Sequence, residues 1–214
     1  MRLRKKPWAK PELEKDNKVI FNPSEFQGKW NECFNNDFPI HLELGCGRGS
    51  FIAQLAKLNP KINYIAIDIH PELLVYVLRK ANENKLTHLR IIPMYIENIG
   101  DIFAPDEIEK IYINFCNPWP NKRHHKRRLT HPNFLKMYYR FLKENGEVWL
   151  KTDDEILFAD SLEYFQSQGF NEVFRTYNLH QSDFKGNIMT EYEEKFLEQG
   201  IQIKSAQFCK VDVH

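Results

Sequence analysis

Three alternating glycines directly after an apolar segment constrain the fold more than any other feature of the sequence. The segment from Pro39 to Leu44 has the composition of a buried strand and runs into Gly45-Cys46-Gly47-Arg48-Gly49. Ser50 is a typical N-cap residue, and the apolar spacing of residues 51–58 predicts a helix. Doubly wound α/β proteins hold adenosine-containing cofactors with such a strand–turn–helix unit, since glycine lets a ligand approach the backbone.

The spacing of these glycines separates two cofactor classes. A dinucleotide fingerprint places its third glycine one position later, where this chain has Ser50. An acidic residue, Glu43, precedes the first glycine and suits the amino-acid end of S-adenosylmethionine. Asp68, 23 positions after Gly45, lies close to where such folds place an acidic residue for a ribose. A tight turn without any ligand stays open as the alternative.

Composition limits the class of protein. A chain of 214 residues with a net charge of +1 suits one sizeable core, and any affinity for a polyanion has to come from local basic patches. The four cysteines form no Cys-x-x-Cys pair, which argues against a metal site and disulfides and favours a reducing compartment. Because no run approaches membrane-spanning length, we expect a cytoplasmic protein without a membrane partner.

The strand–helix pattern repeats along the chain and predicts the architecture. Residues 1–20 read as a basic, loosely ordered arm, either a frayed terminus or an arm that lies along phosphates. Residues 21–214 read as a single domain with a short helix over 22–34. After the glycine turn we predict four further strands in alternation with helices, and two closing strands: strands 63–67, 89–94, 110–116 and 147–151, helices from Pro71, from Pro132 and over 155–168, and closing strands 170–177 and 206–213. This order predicts an α/β fold with a doubly wound, mostly parallel, seven-stranded sheet and helices on both faces.

Polar residues end successive predicted strands. In chain order they are Gly45, Asp68, Tyr95 with Glu97, Asn117 and Asp153. Ligands of open α/β sheets bind at the carboxyl ends of the strands. We therefore expect these residues to line a single cleft.

A basic run begins beside this expected cleft. Five of the seven residues from Lys122 to Arg128 are Lys or Arg. A solvated charged face is the simpler interpretation, but the position favours a polyanionic substrate whose phosphates these side chains contact. Trp119, just before the run, either stacks on a base or fills the core.

Near the end of the chain, Thr190 and Glu193 have the spacing of a capping box for a helix that extends to Gly200. We expect this cap to hold a loop rigid beside the substrate. Capping without any contact to a substrate is the alternative.

The glycine turn, Asn117-Pro118-Trp119-Pro120, the run Lys-Arg-His-x-Lys-Arg-Arg and Thr190-Glu191-Tyr192-Glu193 together resemble the bacterial tRNA (guanine-N7-)-methyltransferases over nearly the whole chain. The resemblance implies a Rossmann-like class I methyltransferase that moves a methyl group from S-adenosylmethionine to N7 of a guanosine in the variable region of tRNA. It implies no metal, and either a monomer or a homodimer.

Matched by position, the resemblance implies a set of site residues. The cofactor-binding residues are Glu43, Gly45, Gly47, Asp68, Tyr95, Glu97 and Asn117. The substrate-binding residues are Asn121, Lys122, Arg123, Lys126, Arg127, Arg128, Asp153, Thr190, Glu191, Tyr192 and Glu193. Asn117 and Asp153 are the implied catalytic residues, although the family usually has Asp in place of Asn117 and an acidic residue near Tyr95.

Two rival functions remain open at this point. Asn117-Pro118-Trp119-Pro120 also resembles the Asn-Pro-Pro-aromatic loop of amino-group methyltransferases that act on adenine N6 or on glutamine amides. The other rival is a non-catalytic RNA-binding protein that keeps the same fold.

Overall fold

A computed structural model of the protein describes residues 4–211. The first three residues of the expected arm, and the last two residues of the expected closing strand 206–213, lie outside the described residues. The chain divides into two compact units, Met1–Phe103 and Ala104–His214.

In its described residues, 4–103, the first unit contains three parallel strands and four α-helices. The helices and strands are α1 (Ala9–Leu13), α2 (Trp30–Phe34), β1 (Ile40–Leu44), α3 (Ser50–Leu58), β2 (Asn63–Asp68), α4 (Pro71–Glu83) and β3 (Leu89–Pro93). Both β1 and β3 pair with β2 in parallel register. Every residue of β1 and β2 is buried, as expected for strands inside a parallel sheet.

The N-terminal segment packs through α1. Ala9 and Leu13 of this helix are completely buried, and Arg79 of α4 donates two hydrogen bonds of 2.8 Å to the Glu12 carboxylate. Further along, Val19 forms an isolated parallel bridge with Ile91 of β3. The arm expected over residues 1–20 thus contains a helix in its described part.

Two local predictions in the first unit are wrong. The helix expected over 22–34 is a 3₁₀ turn, Pro23–Phe26, followed by the separate α2, because Gly28 between them has a φ of 74°. Ser50 does not cap α3 but is its first residue, and Gly49 is the N-cap. The Ser50 hydroxyl instead accepts a hydrogen bond of 2.7 Å from Nζ of Lys80.

Over residues 104–211 the second unit contains four strands and three α-helices. They are β4 (Ile108–Asn114), α5 (Pro132–Phe141), β5 (Leu142–Thr152), α6 (Glu155–Ser167), β6 (Phe170–Thr176), α7 (Glu191–Glu198) and β7 (Lys204–Lys210). Strands β4 and β5 are parallel. Strand β7 pairs in antiparallel register with β5 on one side and β6 on the other.

Both predicted boundaries at the centre of the second unit shift. Strand β4 ends at Asn114 and not at residue 116, because Phe115 adopts a φ of 50° that cannot continue a strand. Strand β5 begins at Leu142, well before the predicted Glu147. Asn145 has a φ of 59° and lies within β5, where the register between β5 and β4 shifts. The turn predicted there, ahead of the strand, is thus an irregularity inside the strand.

The seven strands have the order β3-β2-β1-β4-β5-β7-β6. The α/β class and the mostly parallel, seven-stranded sheet are confirmed. Among the helices of residues 4–211, none is long and apolar enough to cross a membrane.

Candidate active site

The glycine turn after β1 requires glycine for two different reasons. Gly45, Gly47 and Gly49 have φ values of 72°, 55° and 69°, which residues with a side chain rarely adopt. A Cβ on Gly49 would lie 2.6 Å from a methyl carbon of Val77 in α4, so this glycine permits close helix packing. A Cβ on Gly47 would meet no atom within 4 Å, so this glycine faces open space that a ligand can occupy.

The end of β2 is tied to the glycine turn through Asp68. Its Oδ2 accepts a hydrogen bond of 3.0 Å from the Gly47 N–H, and its Oδ1 accepts one of 2.9 Å from the His70 N–H. Asp68 is 8% exposed. Oδ1 also lies 2.9 Å from Nδ1 of His70, whereas Oδ2 uses one of its two lone pairs and keeps acceptor capacity for a ribose hydroxyl.

The remaining cofactor-binding residues predicted in the first unit differ in exposure. Glu43 of β1 is buried, whereas Tyr95 and Glu97 are exposed at the start of a 3₁₀ turn, Ile96–Asp101. The N–H of Met94 donates to the Asp68 carbonyl over 3.1 Å, which joins the end of β3 to that of β2. The structure therefore brings the polar ends of all three strands of this unit together.

The thiol of Cys46, inside the turn, reflects the same surroundings. Burial raises the pKa of the Cys46 thiol well above its ordinary value, and the negative charges of Asp68 and Glu43 raise it further. A backbone-lined turn with open space at Gly47 and a fixed carboxylate suits an adenosine-containing cofactor. These residues fit S-adenosylmethionine.

In the second unit, the segment after β4 is a strained loop. Phe115 and Trp119 have φ values of 50° and 43°, which are unusual for aromatic residues. The exposed Asn117 uses its side-chain oxygen to accept a hydrogen bond of 3.0 Å from the Trp119 N–H. Strain of this kind concentrates at binding and catalytic sites.

Arg128 differs from the other residues of the basic run. It is completely buried, and its guanidinium donates to the Pro118 carbonyl at 2.6 Å and to the Asp160 carboxylate at 2.5 Å. It also lies 3.0 Å from Nε2 of His125. Arg128 thus fastens the strained loop to α6, and the structure does not bring it to the surface with the others.

The rest of the basic run is exposed. It forms a 3₁₀ turn, Lys122–Arg127, that Asn121 caps by accepting from the Arg123 N–H. Its four charged side chains at the surface are Lys122, Arg123, Lys126 and Arg127. The Arg127 guanidinium lies 5.0 Å from the ring centroid of Trp119, so this tryptophan is partly exposed and paired with a cation, not part of the core.

Two neighbouring aspartates at the end of β5 have different roles. Asp154 is the N-cap of α6, and its carboxylate accepts from the Leu157 N–H at 2.6 Å. Asp153 is partly exposed, and only its backbone carbonyl is engaged, by Nζ of Lys204 at 3.0 Å. Within residues 4–211 the Asp153 carboxylate makes no hydrogen bond or ion pair, so it is available to a ligand.

The predicted capping box at α7 is confirmed. The Thr190 hydroxyl accepts from the Glu193 N–H at 3.0 Å, and the Glu193 carboxylate accepts in return from the Thr190 N–H at 3.4 Å. Glu193 is completely buried. Glu191, partly exposed, is the first residue of α7, and Tyr192, 60% exposed, stacks on Phe115 with ring centroids 6.2 Å apart.

Sequence reasoning missed the cation that holds this segment. Nζ of Lys151 in β5 lies 3.1 Å from Oε2 of Glu193 and donates to the Ile188 carbonyl at 2.9 Å and to the Asn187 side chain. The sequence does contain a signal for this ion pair, because Lys151 directly follows the apolar residues 148–150 in a predicted strand. A buried strand tolerates such a charge only with a partner. No group of three or more metal-ligating side chains occurs among the described residues.

Comparison with known proteins decides the family. A family model described as a putative methyltransferase matches residues 37–206. The chain is 60% identical over 208 residues to a tRNA (guanine-N(7)-)-methyltransferase of Desulfitobacterium hafniense, covering 97% of this chain and 98% of that protein. The chain belongs to the tRNA (guanine-N(7)-)-methyltransferase family. A second family member, from Clostridium tetani, is 58% identical and covers 94% of this chain and 96% of its own length.

Solved structures with the same fold come from other methyltransferases. The 16S rRNA methyltransferase KamB aligns with a TM-score of 0.66 at 10% identity, over 86% of this chain and 94% of that one. A 16S rRNA (adenine(1408)-N(1))-methyltransferase solved with the cosubstrate SAM aligns with a TM-score of 0.57 at 14% identity, over 90% and 93%. At such identities the likeness shows the class I methyltransferase fold of the family and nothing about its target base.

Proposed function

We propose that the protein transfers a methyl group from S-adenosylmethionine to N7 of a guanosine in the variable region of tRNA. The observation that carries this function is the 60% identity, over 97% of the chain, to a relative named tRNA (guanine-N(7)-)-methyltransferase. Such a reaction belongs in the cytoplasm. We further propose that the enzyme is a monomer or a homodimer.

The first unit supplies the residues proposed to hold the cofactor. The backbone of Gly45 and Gly47 admits the ligand, Asp68 accepts from the ribose hydroxyls, and Glu43 holds the amino-acid end. Tyr95 and Glu97 are proposed to flank the adenine, and Asn117 is proposed as a further cofactor contact. When bound, S-adenosylmethionine supplies an electrophilic methyl group on a sulfonium.

The protein does not need a general base for this reaction. Guanine N7 carries an in-plane lone pair and no proton, so it is already a nucleophile. The task of the protein is to hold N7 in line with the bond that breaks and to exclude water, which is a proximity and orientation effect. The strained backbone of Phe115 and Trp119 fits such a rigid site.

Asp153 is proposed to select guanine. Its carboxylate has no partner among the described residues, and two acceptor oxygens match the adjacent N1–H and N2–H₂ donors that guanine presents and adenine lacks. Its negative charge also stabilises the purine as methylation makes it cationic. Tyr192, exposed and stacked on Phe115, is proposed to support the base from α7 with Thr190 and Glu191.

The exposed basic turn is proposed to hold the RNA backbone. Lys122, Arg123, Lys126 and Arg127, with the capping Asn121, present charge to phosphates, which gives affinity and salt dependence without sequence selectivity. Arg128 and Glu193 are proposed to act on the substrate indirectly, because both are completely buried. They hold the segments that carry Trp119 and Tyr192.

Nucleoside mass spectrometry tests the proposed function. Unmodified tRNA is incubated with the protein and S-adenosylmethionine, digested, and compared with a reaction lacking the protein. We expect 7-methylguanosine at one position of the variable region. N6-methyladenosine would favour the amino-group rival, which the family membership does not support, and no methylation with intact tRNA binding would favour a non-catalytic protein.

A further inference from the structure

A second cationic surface lies in the first unit, beside the glycine turn. We define the arm patch as Lys6, Trp8, Arg48, Tyr76 and Arg79. Three cations of this patch lie near the ring centroid of Tyr76: Nζ of Lys6 at 4.3 Å, and the guanidinium carbons of Arg48 at 5.3 Å and Arg79 at 6.0 Å. Trp8 is 44% exposed and lies under Arg79, 4.8 Å from its guanidinium carbon.

The charges of the arm patch are not balanced within the protein. Glu12 neutralises Arg79 through two hydrogen bonds of 2.8 Å. Lys6 donates to the Tyr76 hydroxyl, a neutral acceptor. In the part of the chain that the structure describes, neither Lys6 nor Arg48 has a carboxylate within ion-pair distance. Cations held this close repel one another, and a polyanion that reaches both relieves the repulsion.

Buried contacts hold the residues of the arm patch in place. Ala9 and Leu13 are completely buried and anchor α1, and Lys6 and Trp8 lie directly before this helix. Asn82 of α4 donates to the Asp16 carboxylate at 2.9 Å and holds the following loop. Arg48 is the residue between Gly47 and Gly49, so the cofactor turn itself supplies one of the cations.

We propose that the arm patch is an RNA-binding surface that takes the phosphate backbone of the tRNA substrate, with Trp8 available to stack on an unpaired base. RNA is the occupant that the chemistry favours, since clustered cations with exposed aromatic rings match a polyanion that also carries flat bases. The surface borders the turn proposed to hold the cofactor. This inference rests on the proposed function, which makes tRNA the substrate.

The consequence of this surface is a second point of attachment. The basic turn Lys122–Arg127 supplies phosphate contacts in the second unit, and the arm patch supplies them in the first. Two separate contact sets on one RNA add their counterion release. Loss of either set therefore weakens binding without abolishing it.

The test measures tRNA binding by filter retention or anisotropy over a series of salt concentrations, without cofactor. We compare wild type, the double variant Lys6→Gln with Arg48→Gln, the variant Trp8→Leu, and the control Lys57→Gln. Lys57 is an exposed cation at the end of α3, outside the arm patch. Calorimetric titration with S-adenosylmethionine and a thermal melt of each variant check the turn and the fold.

We expect the double variant to bind tRNA about tenfold more weakly near 0.1 M salt. The plot of log K against log salt should become less steep by about 1.5, as for two lost phosphate contacts. Trp8→Leu weakens binding and leaves the slope unchanged, and Lys57→Gln changes neither. Wild-type affinity and slope in the double variant overturn the inference, as does an equal loss in Lys57→Gln. If 7-methylguanosine never forms but the double variant still loses tRNA affinity, the proposed function fails and the arm patch stands.

Discussion

Lys151 and Glu193 form a buried ion pair, with Nζ of Lys151 3.1 Å from Oε2 of Glu193, that joins β5 to the first turn of α7. Their side chains are 6% and 0% exposed. The Glu193 carboxylate also accepts from Nδ2 of Asn187 at 2.5 Å and closes the capping box with Thr190. A single carboxylate thus fixes the loop before α7, the start of α7 and the end of β5.

Breaking this pair on one side is expected to destabilise the protein. Glu193→Gln leaves a buried ammonium without its counter-charge, which costs about 3–5 kcal/mol in the free energy of unfolding. The double variant Glu193→Gln with Lys151→Met removes both charges and is expected to lose less than the sum of the two single losses. Urea denaturation of the four proteins measures the coupling, and additive losses would show that the two side chains act independently.

Arg128 is expected to behave as a structural residue although it lies in the basic run. Arg128→Ala removes the donors to the Pro118 carbonyl and to the half-buried Asp160 carboxylate, at a cost of about 1–3 kcal/mol in unfolding free energy. Arg127→Ala, an exposed neighbour, is the matched control and is expected to keep stability and lower tRNA affinity. Thermal melts and tRNA binding of both variants separate the two roles. Equal stability of the two variants would contradict the structural role of Arg128.

Asp153 and Asp154 offer a direct comparison of function with capping. Asp153→Ala is expected to lower kcat far more than the affinity for S-adenosylmethionine, with stability unchanged, because its carboxylate holds nothing within the described protein. Asp154→Ala removes the N-cap of α6 and is expected to cost about 1 kcal/mol of stability with a smaller effect on kcat. Kinetics, calorimetry and melts on both variants test this, and equal losses of turnover and cofactor affinity in Asp153→Ala would count against its role toward the base.

Two glycines of the turn after β1 are expected to differ in how much a substitution by alanine destabilises the protein. Gly49→Ala combines an unfavourable φ with a Cβ that would lie 2.6 Å from Val77, so we expect a loss of about 2–5 kcal/mol. Gly47→Ala has only the unfavourable φ and is expected to cost about 1 kcal/mol while weakening S-adenosylmethionine binding. Adding Val77→Ala should recover part of the Gly49→Ala loss and none of the Gly47→Ala loss. Urea denaturation and calorimetry report the two quantities, and equal destabilisation by both glycine variants would refute the distinction.

Acid is expected to release the N-terminal segment from α4. The hydrogen bond from Arg79 lowers the pKa of Glu12 from its ordinary 4.5. Burial raises the pKa of Asp16, but hydrogen bonds from Asn82 and the Lys18 N–H outweigh this and leave the pKa below its ordinary 3.8. Since both carboxyl groups have a lower pKa when docked, the docking they stabilise persists above the ordinary values and is lost as the pH falls through the lowered ones.

The measurement is the tryptophan fluorescence of wild type minus that of Trp8→Phe, which reports Trp8 alone. We expect the difference to change as the pH falls from about 5 to about 3, with far-ultraviolet circular dichroism still native at the upper end. The variant Asp16→Asn is expected to shift this change to higher pH. A difference that stays constant until global unfolding would contradict acid release.

The sequence predicts the repeated pattern well and the exceptions poorly. Periodicity and the end signals at Pro71, Pro132 and Gly169 predict most strands and helices within two or three residues, because burial alone decides these elements. Ser50 and Asn145 have the local chemistry of a cap and a turn, but tertiary contacts override both. Ser50 instead accepts from Lys80, and Asn145 is absorbed into an irregular β5.

The candidate site shows the same limit. The resemblance implies that Arg128 and Glu193 bind the substrate, yet only the structure shows that both are completely buried and hold loops. The basic N-terminal residues allow an arm that lies along phosphates, but its partners are not predictable from the sequence. Arg48, Tyr76 and the N-terminal segment are far apart in sequence and meet only through packing of α1 on α4. Contacts between distant segments have no signature in local patterns.

The position of β7 determines when the second unit can be completed. Among the described strands, β6 pairs only with β7, and β7 is synthesised after it. During translation β6 therefore leaves the ribosome with its backbone hydrogen-bonding groups unpaired on both sides, in the condition that makes edge strands prone to aggregation. A nascent chain halted before Lys204 cannot join β6 to β5, so β6 keeps these groups exposed until β7 has been made.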